Sequence, residues 1–294
     1  MVNQLGFTKR FLSLVTPIVA SSALAPLALS IAASPGMAAT LASSEAKFNI
    51  NNFSHNPLKV AALTEADAFT VATSGQVTVE AKASANFINS QSPPYAYNSS
   101  FSTVNGDDGN YLGIAESEAE VMGYNFLVEK GETFSFNFNG FLNLNTSISD
   151  PEHQSASVGG DLSLELYDST NPDKDKWILL DSFTLAGALT TLGDDDFLLD
   201  PDKSASITLT PSETYSVTSF GGTQESAEAS VQGSLERSFD SLTYLTLVEA
   251  KINQAEAISN QASAAVPEPA SIVALLFGLT GLGYKIRNKA FGAK

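Results

Sequence analysis

The chain has 294 residues, 32 acids against 15 bases, a formal net charge of −17 and no cysteine. Without thiols there is no disulfide framework, no thiolate nucleophile and no cysteine-based metal centre. So acidic a surface repels nucleic acid and anionic lipid, and it favours solubility or contact with divalent cations.

Six of the bases lie near the two ends, at Lys9, Arg10, Lys285, Arg287, Lys289 and Lys294, so the intervening chain is more acidic still. Length sets a prior of one or two domains, and about 225 residues between the ends suffice for a sizeable core.

Residues 1–39 read as a secretory signal. Lys9 and Arg10 close a basic region, an apolar and small-residue run follows from Phe11 to Ala33, and Gly36-Met37-Ala38-Ala39 offers a small-residue cleavage site. Residues 40–66 carry a weak pattern, with loop chemistry at Asn49–Asn52 and His55-Asn56-Pro57, and a short helix is expected near Val60–Ala66.

From Asp67 to Val248 the hydrophobic period is two. Phe69/Val71 and Val77/Val79 flank Gly75 as a hairpin. Ser92-Pro93-Pro94 breaks the pattern, and Gly106–Asn110 reads as a turn. Ala115, Ser117, Ala119 and Val121 alternate with Glu116, Glu118 and Glu120, which predicts a half-buried strand with one acidic face. A second hairpin is expected around Glu129–Glu132, with Phe134, Phe136 and Phe138 facing one way and Gly140 shifting the register as a bulge.

Leu162/Leu164/Leu166, Trp177–Leu180, Phe183–Leu185, Ile207/Leu209, Tyr215/Val217, Ala227/Ala229/Val231 and Leu242/Tyr244 mark further strands. Ten to twelve strands without long amphipathic helices predict an antiparallel β-sandwich or jelly roll, flanked by an N-terminal signal helix and a C-terminal transmembrane helix. The stretch Glu116–Gly123 echoes Glu225–Gly233, as two matching strands or by chance in an Ala/Glu/Ser-rich chain.

Catalytic candidates are thin. The two histidines, His55 and His153, sit in polar loops, and there is neither a Gly-x-Ser-x-Gly elbow nor a His-Glu-x-x-His pair. Calcium is the better chemical guess, because it takes six to eight oxygens that loops can supply. The clusters are Asp107/Asp108/Asn110, Asp173/Asp175, Asp194/Asp195/Asp196 and Asp200/Asp202, with Asp194, Asp196, Asp200 and Asp202 favoured. Ordinary turn residues exposed to water explain most of them more simply. Trp177, Tyr95, Tyr97, Tyr111 and Tyr167 offer platforms for sugars. Trp177 is expected in the core, since Ile178-Leu179-Leu180 follow it.

Residues 249–265 read as a helix or polar stalk. Residues 266–294 then hold Pro267-Glu268-Pro269, an apolar run Ala270–Tyr284, and the bases Lys285, Arg287 and Lys289. As a helix, those ~15 apolar residues are roughly 22 Å long at ~1.5 Å per residue, short of the ~30 Å bilayer core. Such a span relies on local thinning and on snorkelling bases, which also place the C-terminus in the cytoplasm.

These three features in this order resemble the PEP-CTERM sorting signal of exported bacterial proteins. The resemblance covers about the last 29 residues: Pro267-Glu268-Pro269 for recognition, the Gly- and Leu-rich helix 272–282 for membrane insertion, and Lys285–Lys289 for orientation. It implies export by the secretion translocon, a temporary membrane anchor, removal by an exosortase-like membrane enzyme, and delivery to the cell surface or to exopolysaccharide-rich matrix. The expectation is therefore a non-enzymatic exported surface or matrix protein. A carbohydrate- or Ca²⁺-binding lectin-like module is the alternative.

Overall fold

Inward and outward side chains alternate along most of the long strands. The computed structural model describes residues 39–90, 93–199 and 203–260. Thirteen strands lie among them. They are β1 (Ala39–Asn51), β2 (Lys59–Ala72), β3 (Gln76–Ile88), β4 (Tyr95–Asp107), β5 (Asn110–Val128), β6 (Thr133–Ser147) and β7 (Gln154–Asp168). Then come β8 (Ile178–Thr190), β9 (Asp196–Leu199), β10 (Ile207–Leu209), β11 (Tyr215–Ser219), β12 (Gln224–Ser238) and β13 (Thr243–Asn260). The only helical pieces described are single 3₁₀ turns at Lys174–Lys176 and Pro211–Glu213.

Every pairing is antiparallel. One sheet runs β10-β12-β6-β1-β4-β3, with β11 also on β12; the other runs β2-β5-β13-β7-β8-β9. Their apolar faces share one core. Phe134, Phe136 and Phe138 project from β6 into it; Phe134 meets Phe126, and Phe138 meets Phe48 and Phe183, with ring centroids 5.0–5.5 Å apart. Phe53 adds contacts to Phe87, Phe126 and Phe136. Such pairs contribute about 0.5–1.5 kcal/mol each beyond the area they bury.

Several expectations are corrected. Residues 40–66 are not irregular: they supply β1, at the middle of its sheet, and the start of β2, where a helix was expected. The inward residues of β1 begin Thr40, Ala42, Ser44 and Ala46, all buried, so a hydrophobicity pattern shows little contrast there. Residues 249–260 are neither helix nor stalk but the greater part of β13, which pairs with both β5 and β7. The described strands thus run from Ala39 to Asn260.

The two expected hairpins are chain reversals between sheets. β2 pairs with β5 while β3 pairs with β4, and β5 and β6 also lie in different sheets. Gly75 (φ 76°) and Gly109 (φ 81°) sit at two such corners packed on each other; a Cβ on Gly75 would lie 1.6 Å from the Asp108 carbonyl oxygen. Gly140 is not a bulge. It keeps register between Phe48 and Val231, and a Cβ there would come 2.9 Å from Val231.

Candidate functional site

The outward face of the six-stranded sheet gathers carboxylates. Glu116, Glu118 and Glu120 alternate along β5, and β2 sets Asp67 opposite Glu116 and Glu65 opposite Glu118. Burial among neighbouring side chains, and then the like charges of Asp67 and Glu65, push Glu116 up. Burial and Glu65 do the same to Glu118. Glu120 is pushed up to about 7, by burial first and then by Glu118, Glu249 and Glu165, with Lys174 opposing. On β13, burial alone raises Glu256. Each of these carboxyls holds its proton to higher pH than an isolated one would, Glu120 to about 7.

An aromatic patch occupies one end of the same face. Tyr124 on β5 and Tyr167 on β7 flank β13, and the 3₁₀ turn after β7 delivers Trp177 to them. The Tyr167 and Trp177 rings are 6.2 Å apart. Lys174 Nζ lies 5.5 Å from the Trp177 ring and 6.0 Å from that of Tyr124. Trp177 Nε1 donates to the Asn171 carbonyl at 3.0 Å, and Tyr167 donates its hydroxyl to Glu165. Beside the patch, Asp168, Thr170, Asn171, Pro172, Lys176 and Ile178 line an open depression of about 460 Å³. Trp177 is therefore half-buried at the surface, not in the core; Ile178 and Leu179, which suggested a core segment, are themselves exposed. Aromatic rings with hydrogen-bonding neighbours on an accessible face provide stacking surface for sugar rings.

The other platform residues do not join it. Tyr111 is buried and donates to Thr40 Oγ1 at 2.7 Å; Tyr97 donates to Ser99 Oγ, and Tyr95 lies at the start of β4.

The acidic turns are engaged in local bonding. Asp173 Oδ1 accepts from the Asp175 amide at 3.3 Å while its other oxygen pairs with Lys176. Asp195 accepts from the Thr190 amide at 3.0 Å. Asp194 and Asp196 are exposed at the β8–β9 turn, and Asp200 and Asp202 lie outside the described residues. Among the described residues, no group of three or more His, Asp or Glu is placed to hold a metal. His55 bonds Ser54 and Glu132, and His153 bonds Asp150 at 2.8 Å. The segment 1–39 expected to be a secretory signal, apart from Ala39 itself, and Pro267, Glu268, Pro269, Lys285, Arg287 and Lys289 also lie outside the described residues. Among those described, no helix is long and apolar enough to cross a membrane.

A second group was invisible in the sequence. Between the sheets, Glu249, Lys251 and Asn253 project inward from β13 toward Ser44 on β1 and Asn98, Ser100 and Ser102 on β4, all fully buried. Their i, i+2 spacing was the available signal. The polar composition of 249–265 masked it.

No family model, curated protein or solved structure matches the chain.

Proposed function

We propose that the chain is an exported, non-enzymatic cell-surface or extracellular-matrix protein whose two sheets form a β-sandwich ectodomain. The observation that carries this is the C-terminal order Pro267-Glu268-Pro269, apolar run 270–284, and basic cluster Lys285–Lys289, set against an N-terminal export signal. An acidic exterior suits a soluble domain outside the cytoplasm, and a core of this size needs no disulfides to hold it. The processing enzyme is an exosortase-like membrane protein, and the chain is its substrate. The combined substitution Pro267→Ala and Glu268→Ala leaves full-length protein in the membrane fraction; normal release of that variant overturns the sorting reading.

The Tyr124–Tyr167–Trp177 patch favours a second element, direct contact with polysaccharide. The wild-type protein co-sediments with neutral exopolysaccharide, with or without chelator, and Trp177→Ala loses that retention while keeping its melting temperature. Equal retention by the variant rejects the patch. Release of reducing sugar by the wild type rejects the non-enzymatic reading.

A further inference from the structure

Three side chains of the interior meet in an arrangement that a merely structural ion pair does not need. Lys251 and Glu249 on β13 and Asn98 on β4 each have 0 % exposure. Lys251 Nζ donates to Glu249 Oε1 at 2.6 Å. Asn98 Nδ2 donates to Oε2 of the same carboxylate and to the Ala119 carbonyl at 3.3 Å. One carboxylate therefore bridges a primary amine and a carboxamide. The Phe48 ring, 5.4 Å from Nζ, closes the site on the apolar side.

The arrangement is costly as it stands. A buried ion pair repays its desolvation only when its remaining lone pairs and protons are well satisfied. Here Asn98 Oδ1 is buried without a hydrogen-bond partner. Asn253, two residues from Lys251, differs: its Oδ1 accepts from Ser100 and its Nδ2 donates to Ser44. Asn98 is the carboxamide held against the Glu249 carboxylate.

We propose that Lys251 and Asn98 become joined by an intramolecular amide bond, with Glu249 carrying the protons, so that a covalent strut ties β13 to β4 across the two sheets. The neutral Nζ attacks Cγ of Asn98 and the Nζ–Cγ bond forms. Glu249 accepts a proton from Nζ at Oε1 and delivers one to Nδ2 from Oε2. The Cγ–Nδ2 bond breaks and ammonia leaves. Amine plus carboxamide gives substituted amide plus ammonia, so the atoms balance without oxidant, metal or cofactor. Burial supports the required protonation state, holding Lys251 down at about 8 and pushing Glu249 up. Apolar surroundings also favour the neutral amine as nucleophile.

This inference goes beyond the proposed function and is independent of it; a failed strut leaves the sorting reading intact, and the reverse holds too. The test is peptide mapping of the full chain, denatured and digested with trypsin. The bond blocks cleavage after Lys251 and links the fragment 83–130 to the fragment that begins at 238. The linked pair is one ammonia lighter than the sum of its parts, and tandem fragmentation places the bond at Asn98 and Lys251. Glu249→Gln keeps the side-chain shape, removes the proton carrier, and yields the two fragments unlinked with Lys251 cleavable. Wild-type protein that yields the free fragment 238–251 overturns the proposal. So does a bond from Lys251 to Asn253, or one to Glu249 formed with loss of water. A linked pair in folded Glu249→Gln removes Glu249 from its role.

Discussion

Replacing Glu120 by Gln tests whether the acidic face is a charge strain that the fold tolerates. Glu120 lies on β5 opposite Leu63 of β2 and Ala250 of β13; burial first, and then the charges of Glu118, Glu249 and Glu165, raise its affinity for a proton, and Lys174 lowers it. Its folded value of about 7 stands above the ordinary 4.5. Between those values the folded state binds more protons than the unfolded one, so stability falls as pH rises through that window. The stability is fully present below about 4.5 and fully lost above about 7. At about 1.36 kcal/mol per unit, the whole shift corresponds to roughly 3 kcal/mol, and solvent at the sheet surface reduces this to about 1–2 kcal/mol. For a domain of this size, each kcal/mol moves the melting temperature by about 2–4 °C. Glu120→Gln therefore melts about 2–8 °C higher than wild type at pH 8 and equally at pH 4. Thermal melts followed by circular dichroism from pH 4 to pH 8 give both slopes. Parallel slopes, or a variant less stable at pH 8, refute the reasoning.

Two further substitutions probe the joints of the fold. Arg237 on β12 donates to Asp181 Oδ2 at 3.1 Å and to the Leu180 carbonyl at 3.2 Å, linking the two sheets, and Asp181 is only 2 % exposed. Arg237→Ala strands that carboxylate and costs about 2–3 kcal/mol, while Arg237→Met combined with Asp181→Leu recovers most of it; urea unfolding of the set measures both. Gly75→Ala places a methyl 1.6 Å from the Asp108 carbonyl oxygen at a φ of 76°. It lowers stability by at least about 2 kcal/mol, read in the same titration, because the carbonyl belongs to the facing corner and cannot rotate away.

Much of the β architecture was legible because its signal is local. Glu116–Val121 and Phe134–Phe138 alternate strongly, and their inward and outward faces match the observed burial. What failed was non-local or low in contrast. Gly75 and Glu129–Glu132 mark reversals correctly, but nothing nearby states whether the chain returns to the same sheet, which is decided by partners far along the sequence. β1, and β13 beyond the strand marked by Leu242/Tyr244, do not show in the pattern because their inward faces carry Ser44, Glu249, Lys251 and Asn253, residues that belong inside only when a matching polar partner crosses from the other sheet. The same low contrast hides the Lys251–Glu249–Asn98 group, and the apolar triplet after Trp177 misleads because Ile178 and Leu179 are exposed and only Leu180 packs against the core.

Extending β13 to Asn260 changes the geometry implied by the sorting reading. Taking the signal to begin at Val266, only residues 261–265 connect it to the sheet, and five residues reach at most about 18 Å when fully extended. A stalk that holds the domain off the membrane is then replaced by a short tether. The end of the sheet that carries Asn260 also carries Asn110 at the start of β5 and Gln154 at the start of β7. On this reading that end faces the bilayer before processing, with the acidic outer face of β5 running away from anionic headgroups. On the same proposal, β13 is the strand through which a pull on the C-terminal segment enters the domain. A bond from Lys251 to Asn98 would pass that load to β4 in the opposite sheet, instead of leaving it on the hydrogen bonds to β5 and β7 alone.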